Sequence, residues 1–145
     1  EGYEHTGYYN NKYIPRAGES GAQTELNYLT NYRAVRYSDV LLMAAEAYNR
    51  GGIDDGIAQE YLNQVRRRAF GDQDHDISLT GTALTDAIWE ERKFELSMEG
   101  HRFFDLVRTG QAPSIIDGFQ QGKHEVFPIP QQEIDISGLT QNPGY

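Results

Sequence analysis

The stretch at residues 88–108, IWEERKFELSMEGHRFFDLVR, constrains this chain more than any other part of it. Its carboxylates Glu91, Glu95 and Glu99 recur at i, i+4 and i+8, which places them in one row along a helix. Large apolar residues are interleaved with the row, so it faces a packed environment rather than open water. A buried charge without a partner is strongly destabilising. The stretch therefore predicts a helix packed among other helices, with its carboxylates neutralised by basic side chains.

Two sets of residues follow from this interpretation. The core-facing surface is predicted to comprise Leu84, Ile88, Trp89, Leu96, Phe103, Phe104, Leu106 and Val107. A structural charge network is predicted to comprise Glu46, Glu91, Arg92, Glu95, Glu99, Arg102, Asp105 and Arg108. The three arginines at 66–68 are interpreted as further partners for the glutamates, and Trp89 as packing rather than a platform for a sugar ring.

Length, charge and cysteine content limit the classes of function. A chain of 145 residues is one domain in size. Its formal net charge of −9 opposes binding to nucleic acid, which requires clustered Lys and Arg. There is no cysteine, so neither disulfides nor thiolate chemistry is available in this chain. No apolar run approaches the roughly 18 residues that a membrane-spanning helix needs.

The helical pattern occupies residues 32–110. A first helix is predicted at 35–50, capped by Ser38 or Asp39 and buried on more than one side. A second is predicted at 54–69, and the short link between the two predicts an antiparallel hairpin. A third is predicted at 82–99; it breaks at Gly100, restarts at 102–108, and the helical run ends at Gly110 and Pro113.

The two ends of the chain lack this periodicity. Residues 1–31 are predicted to be an irregular lead-in with a mobile tip at 17–22. Their tyrosines offer ring faces on which sugar rings stack, and the candidate ligand-binding residues are Tyr3, Tyr8, Tyr9 and Tyr13. Residues 111–145 are predicted to be an extended strap and tail, with Val126, Phe127 and Ile129 as apolar anchors.

A loop at 71–82 has the D-x-D-x-D spacing of a calcium-binding loop at Asp72, Asp74 and Asp76. The remainder of that pattern is missing, because Ile77 replaces the turn glycine and Ala83 replaces the bidentate glutamate. We therefore predict neither a metal site nor a cofactor.

Five segments together resemble the C-terminal region of the SusD/RagB family of outer-membrane nutrient-binding lipoproteins. They are VRYSDVLLMAAEAYN, LNQVRRRA, IWEERKFELSMEGHRFFDLVRTG, FPIPQQEI and LTQNPGY, in that order. The most specific is the run of charged and apolar positions from Glu91 to Arg108. The resemblance covers residues 31–145, and the whole chain is interpreted as a single-domain C-terminal fragment of such a protein.

The resemblance implies an all-α fold of tetratricopeptide-like helical pairs, with long irregular loops and an extended C-terminal strap. It implies a protein on the cell surface, attached to the outer membrane by a lipid anchor outside this chain. The expected activity is capture of oligosaccharides, which are passed to a partner, a TonB-dependent transporter of the SusC type. No catalysis and no nucleic-acid partner are expected.

Two other classes of function stay open at this point. One is a helical scaffold for protein–protein contact with no ligand site of its own, or a relative that binds peptides. The other is a glycoside hydrolase that uses Glu91 and Glu95 as its two carboxylates. The nearby arginines oppose the second alternative, because they would hold both carboxylates ionised and leave no general acid.

Overall fold

The computed structural model describes residues 10–13 and 31–145. All regular secondary structure among these residues is helical: α1 (Tyr37–Arg50), α2 (Asp55–Phe70), α3 (Gly81–Glu95), α4 (Arg102–Arg108), α5 (Ala112–Ile115) and α6 (Gln131–Ser137). The predicted all-α fold is confirmed. The chain divides into two compact units, Glu1–Glu99 and Gly100–Tyr145. The predicted mobile tip at 17–22 lies outside the described residues.

A helical hairpin of α1 and α2 forms the body of the first unit, as the sequence predicts. Gly52, at a φ of 63°, provides the left-handed turn after α1. The Asp54 carboxylate then caps α2 by accepting from the backbone N–H groups of Gly56 at 2.8 Å and Ile57 at 3.0 Å. Gly71, at a φ of 85°, ends the helix. Local residues therefore set the turn of this hairpin and the end of α2.

Replacing Asp54 by alanine is expected to lower the free energy of unfolding by about 1 kcal/mol, because two N–H groups of the first turn lose their acceptor. Urea unfolding followed by circular dichroism measures the change. Asp74→Ala is the matched control, since Asp74 is an exposed residue of the loop after α2. Equal loss in the two variants would contradict the capping role.

The start of α1 differs from the prediction. The helix begins at Tyr37, and both expected caps lie inside its first turn with other partners. Ser38 accepts a hydrogen bond from Arg36 Nη1 at 2.8 Å, and Asp39 pairs with Arg92 at 2.7 Å. A neighbouring residue therefore engages Ser38, and a residue of α3 engages Asp39, the two side chains that the sequence assigns to capping.

The core of the first unit lies between α1, α2 and α3. Its buried residues are Leu41, Leu42, Ala45, Ala58, Leu62, Val65, Leu84 and Ile88. The prediction that α1 is buried on more than one side is wrong, because Val40 and Met43 are 44% and 46% exposed. Only the side of α1 that faces α2 and α3 contributes to this core.

Polar side chains of the hairpin hold the loop after α2 in place. Asn63 forms two hydrogen bonds with the backbone of Ile77, donating at 3.0 Å and accepting at 2.8 Å. Asp55 accepts from the N–H of Gly81 at 2.7 Å and from Asn49 at 2.7 Å. These contacts place the first residue of α3 against the end of α1.

Helix α3 ends at Glu95 and not, as predicted, at Glu99. The chain then turns through Met98, at a φ of 66°, and Gly100, at a φ of 83°. A left-handed conformation at a residue other than glycine interrupts a helix, so the break begins before the predicted glycine.

The second unit starts with α4 and the short α5. Pro113 lies in the first turn of α5 and does not end the helical run as predicted, since proline needs no hydrogen-bond acceptor there. Leu106 is buried as expected. Phe104, predicted to face the core, is 65% exposed.

The extended segment at 127–130 is held by the tail of the chain. Gln141 donates to the carbonyl of Ile129 at 2.9 Å and accepts from its N–H at 2.8 Å. Asn142 donates to the carbonyl of Phe127 at 2.6 Å. The side chains of Val126 and Phe127, predicted as anchors, are 45% and 78% exposed. Backbone hydrogen bonds, and not those two side chains, therefore position the segment.

Every helix among residues 10–13 and 31–145 is too short or too polar to cross a membrane.

Candidate functional site

Arg36, the residue before α1, joins two of the predicted glutamates. Its Nε and Nη2 donate to the two carboxylate oxygens of Glu99 at 2.7 and 2.8 Å, which is the bidentate arrangement that binds a carboxylate most specifically. Its Nη1 also donates to Glu95 Oε1 at 2.8 Å. One guanidinium therefore fastens the end of α3, and the turn after it, to the start of α1.

Two further cations complete this cluster. Lys12 Nζ donates to Glu99 Oε1 at 2.6 Å and to the carbonyl of Glu95 at 2.7 Å. Arg68, in the last turn of α2, pairs with the Glu95 carboxylate. The side chains of Glu95 and Glu99 are only 9% and 2% exposed, so three cations compensate two carboxylates that have lost most of their water.

The ionisation of these carboxylates follows from the same contacts. Burial alone would raise the pKa of Glu95, but hydrogen bonds from Arg36, Ser38 and Arg68 outweigh it and lower that pKa. Burial likewise opposes ionisation of Glu99, and hydrogen bonds from Arg36 and Lys12 lower its pKa. The bond to Glu99 raises the pKa of Arg36. Both glutamates are therefore ionised at neutral pH, which does not suit either of them to the role of a general acid.

The row of three glutamates does not form one surface, because Glu99 lies beyond the end of α3. Glu91 has a different partner, Arg66 of α2, at 2.7 Å. The next residue, Arg92, pairs with Asp39 of α1 at 2.7 Å, and each of these two side chains is 6% exposed. The charged face of α3 thus braces both neighbouring helices instead of lining a cleft.

Other members of the predicted network pair with residues of their own helices. Glu46 accepts from Arg50 at 2.9 Å on α1. In the second unit, Asp105 and Arg108 pair within α4 at 2.8 Å, and Arg102 is the half-buried first residue of that helix.

The structure describes one of the four predicted ligand-binding tyrosines, Tyr13. Tyr13 stacks on Tyr32, with ring centroids 5.8 Å apart and planes 19° apart, and Tyr32 is 70% exposed. The pair lies next to the Arg36 cluster, since Lys12 precedes Tyr13 and bonds Glu99. Tyr3, Tyr8 and Tyr9 lie outside the described residues. A ligand-binding role for these four tyrosines stays a prediction.

Trp89 is half-buried, with the guanidinium of Arg50 5.6 Å from its ring centroid. Among the described residues, no acceptor is found for its buried indole N–H. A face covered by a cation is a poor platform for a sugar ring, in keeping with the packing role predicted for this residue.

The aspartates of the loop after α2 are engaged with neighbours. Asp72 accepts from the N–H of Asp74 at 3.0 Å and contacts His75 Nδ1 at 2.9 Å, while Asp76 pairs with Arg67. Among residues 10–13 and 31–145, no group of three or more acidic or histidine side chains is arranged to hold a metal ion.

The model of the SusD family matches residues 1–145. The chain belongs to the SusD family. Its relatives include SusD-like protein P2 of Formosa agariphila, 31% identical over 92% of this chain, and SusD-like protein P25 of the same organism, 34% identical over 77%. These alignments confirm the resemblance that the five segments carry.

Two solved SusD homologues of Bacteroides thetaiotaomicron are similar in structure. One is 35% identical over 77% of this chain with a TM-score of 0.65, and the other is 33% identical over 78% with a TM-score of 0.69. The chain spans 29% and 23% of the two Formosa proteins and 26% and 25% of the two solved chains. This SusD-family chain therefore corresponds to about a quarter of its relatives' length.

The sequence patterns did not identify three residues of these ion pairs, which are Lys12, Arg36 and Asp39. Lys12 lies outside the helical pattern, and Arg36 lies at the start of the predicted first helix, so no spacing rule pairs either of them with glutamates 59 or more positions away. Asp39 is of a residue type that commonly caps helices, and it was assigned to that role. The arginines at 66–68 could be assigned from the sequence, since three neighbouring cations in an acidic chain predict acidic partners. That prediction is confirmed by the pairs of Arg66 with Glu91 and Arg68 with Glu95.

Proposed function

We propose that this chain is part of a cell-surface glycan-binding protein, lipid-anchored in the outer membrane, that captures oligosaccharides and passes them to a SusC-like TonB-dependent transporter. The observation that carries the proposal is the match to the SusD family over residues 1–145.

The charge clusters favour binding without catalysis. A glycoside hydrolase needs one protonated carboxylic acid beside the scissile bond. Arg36, Lys12 and Arg68 instead stabilise the ionised forms of Glu95 and Glu99. The arrangement suits a rigid helical support better than an acid–base pair.

The sugar-binding part of the proposal is tested at Tyr13. Titration of this chain with neutral oligosaccharides is expected to give saturable binding in the millimolar range. Tyr13→Ala is expected to weaken that binding roughly 2- to 10-fold, the factor that corresponds to loss of one aromatic contact. Isothermal titration calorimetry measures the dissociation constant.

Tyr37→Ala is the control, because Tyr37 is 72% exposed on α1 and belongs to no predicted ligand set. Equal weakening in both variants would remove Tyr13 from the binding surface. No heat with any oligosaccharide would argue against glycan capture by this part of the protein.

A second candidate function is a protein–protein scaffold. It is favoured by the outward face of α1, where Tyr37, Val40 and Met43 are exposed at helical spacing. Co-purification of the chain with the SusC-like transporter, in the absence of glycan binding, would favour this function over the first.

A further inference from the structure

A cavity of about 320 Å³ lies within the second unit, between α4, the turns that follow α5, and the tail. Aromatic residues from these segments line it: Phe103, Phe119, Phe127 and Tyr145. The rings of Phe103 and Phe119 have centroids 6.5 Å apart and planes 53° apart. Pockets for small ligands have volumes of roughly 300–1,000 Å³ and are mostly apolar with a few polar groups, so this cavity suits a ligand about the size of one sugar ring.

The wall of the cavity formed by Phe127 is also held in position. Phe127 is 78% exposed, yet its carbonyl accepts from Asn142 at 2.6 Å. Tyr145 Oη donates to the carbonyl of the preceding residue, Val126, at 3.0 Å. An exposed aromatic ring on a tethered backbone provides a face for stacking without a large loss of conformational entropy on binding.

Two polar residues at the cavity wall have unused hydrogen-bonding capacity. His124 Nδ1 accepts from the N–H of Gln120 at 3.0 Å, so the neutral imidazole carries its proton on Nε2, which is a donor. Asp117 is exposed, and the second unit, which is described in full, contains no hydrogen-bond or ion-pair partner for its carboxylate. The cavity thus combines aromatic faces with one donor and one strong acceptor.

We propose that this cavity binds one pyranose ring of a neutral oligosaccharide, with the C–H face of the ring on the aromatic walls and its hydroxyls on Asp117 and His124. The inference rests on the proposed glycan-binding function and adds a site to it. A purely apolar occupant would bury the Asp117 carboxylate without a partner, which is unfavourable. An anionic ligand would meet that carboxylate and a chain of net charge −9. A polyhydroxylated neutral ring avoids both penalties.

Nuclear magnetic resonance of the histidine side chains tests the proposal on the 145-residue chain. The probes are the methyl pyranosides of glucose, galactose, mannose and xylose, each added up to about 50 mM, a range suited to the weak binding expected of one small ring. The ring signals of His124 are expected to shift saturably with at least one of them. His75 is the internal reference, because it stacks on Phe70 in the first unit, with ring centroids 4.0 Å apart.

Two variants and two matched controls locate the binding. Phe127→Ala and Asp117→Asn are each expected to weaken it about tenfold, through loss of the stacking face and of a charge-assisted hydrogen bond. Ile136→Ala and Asp135→Asn are expected to change it less than twofold. Ile136 is an exposed apolar residue, and the Asp135 carboxylate is bonded to Gln131 on α6.

Several results would overturn the proposal. One is that none of the four pyranosides shifts the His124 signals. Another is that indole shifts them and no sugar does. The third is that pyranoside binding weakens equally in the variants and in their controls. If Tyr13→Ala weakens oligosaccharide binding while Phe127→Ala and Asp117→Asn do not, the cavity is excluded and the proposed function stands.

Discussion

Replacing Asp39 by alanine is expected to lower the free energy of unfolding by about 3–5 kcal/mol, because it leaves the Arg92 guanidinium in the interior without this carboxylate. The pair links α1 to α3 at 2.7 Å, and both side chains are 6% exposed. Water cannot readily replace the lost partner at that burial. Urea unfolding at neutral pH, followed by circular dichroism, measures the loss.

A double variant separates the pair from the packing around it. Removing both charges, with Asp39→Leu and Arg92→Met together, is expected to recover most of the loss, since two apolar side chains leave neither charge of the pair in the interior. Asp86→Ala, an exposed acidic residue on α3, is the control and should change stability by less than about 0.5 kcal/mol. A double variant as unstable as Asp39→Ala would show that shape, and not charge pairing, is what the core requires.

The substitution with the second-largest expected effect is Arg36→Met, which is expected to lower the free energy of unfolding by about 3 kcal/mol at pH 7. It removes the bidentate contact to Glu99 and the contact to Glu95, and leaves Lys12 and Arg68 as the remaining cations of the cluster. Arg33→Met, an exposed arginine three positions earlier, is the matched control and should be near neutral.

The pH dependence of Arg36→Met has a definite sign. The pKa values of Glu95 and Glu99 are lowered in the folded chain, so their contribution to stability is complete above the unfolded pKa of about 4.3 and is lost as the pH falls through the folded values. Arg36→Met raises those folded pKa values. The difference in stability between the parent and the variant should therefore narrow as the pH is lowered from about 5 to 2. A constant difference over that range would contradict the ion-pair mechanism.

Local sequence signals predicted the hairpin of α1 and α2 well. The glycines after each helix and the cap at Asp54 act within a few residues, so they can be recognised from the sequence without knowledge of the fold. The start of α1 was less predictable, because Ser38 and Asp39 are engaged by Arg36 and Arg92. A capping rule cannot anticipate the partner of Asp39, Arg92, because it lies on α3, 53 positions away.

The contacts of the segment at 127–130 were also not predictable from the sequence. The sequence predicted an extended strap and tail over 111–145, but α5 and α6 lie within that range and residues 125 and 126 lie in a turn and a bend. It also predicted an anchoring role for Val126 and Phe127, whose side chains are exposed. Hydrogen bonds from Gln141 and Asn142 to the backbone replace that role. Apolar composition indicates a contact surface but not whether this chain supplies the other side of it.

By itself, the sequence determined the helical class, the hairpin, the excess of acidic groups that require cations, and the membership of a family. Only the tertiary structure decided which cation meets which carboxylate, and which aromatic residues of the second unit share a cavity. Arg36 and Glu99 are 63 positions apart in the sequence. Phe103 and Tyr145 lie near the first and last residues of the second unit, yet they line one cavity. Helix and turn propensities act over a few residues, whereas charge pairing and cavity formation depend on distance in space, which no periodicity of the chain records.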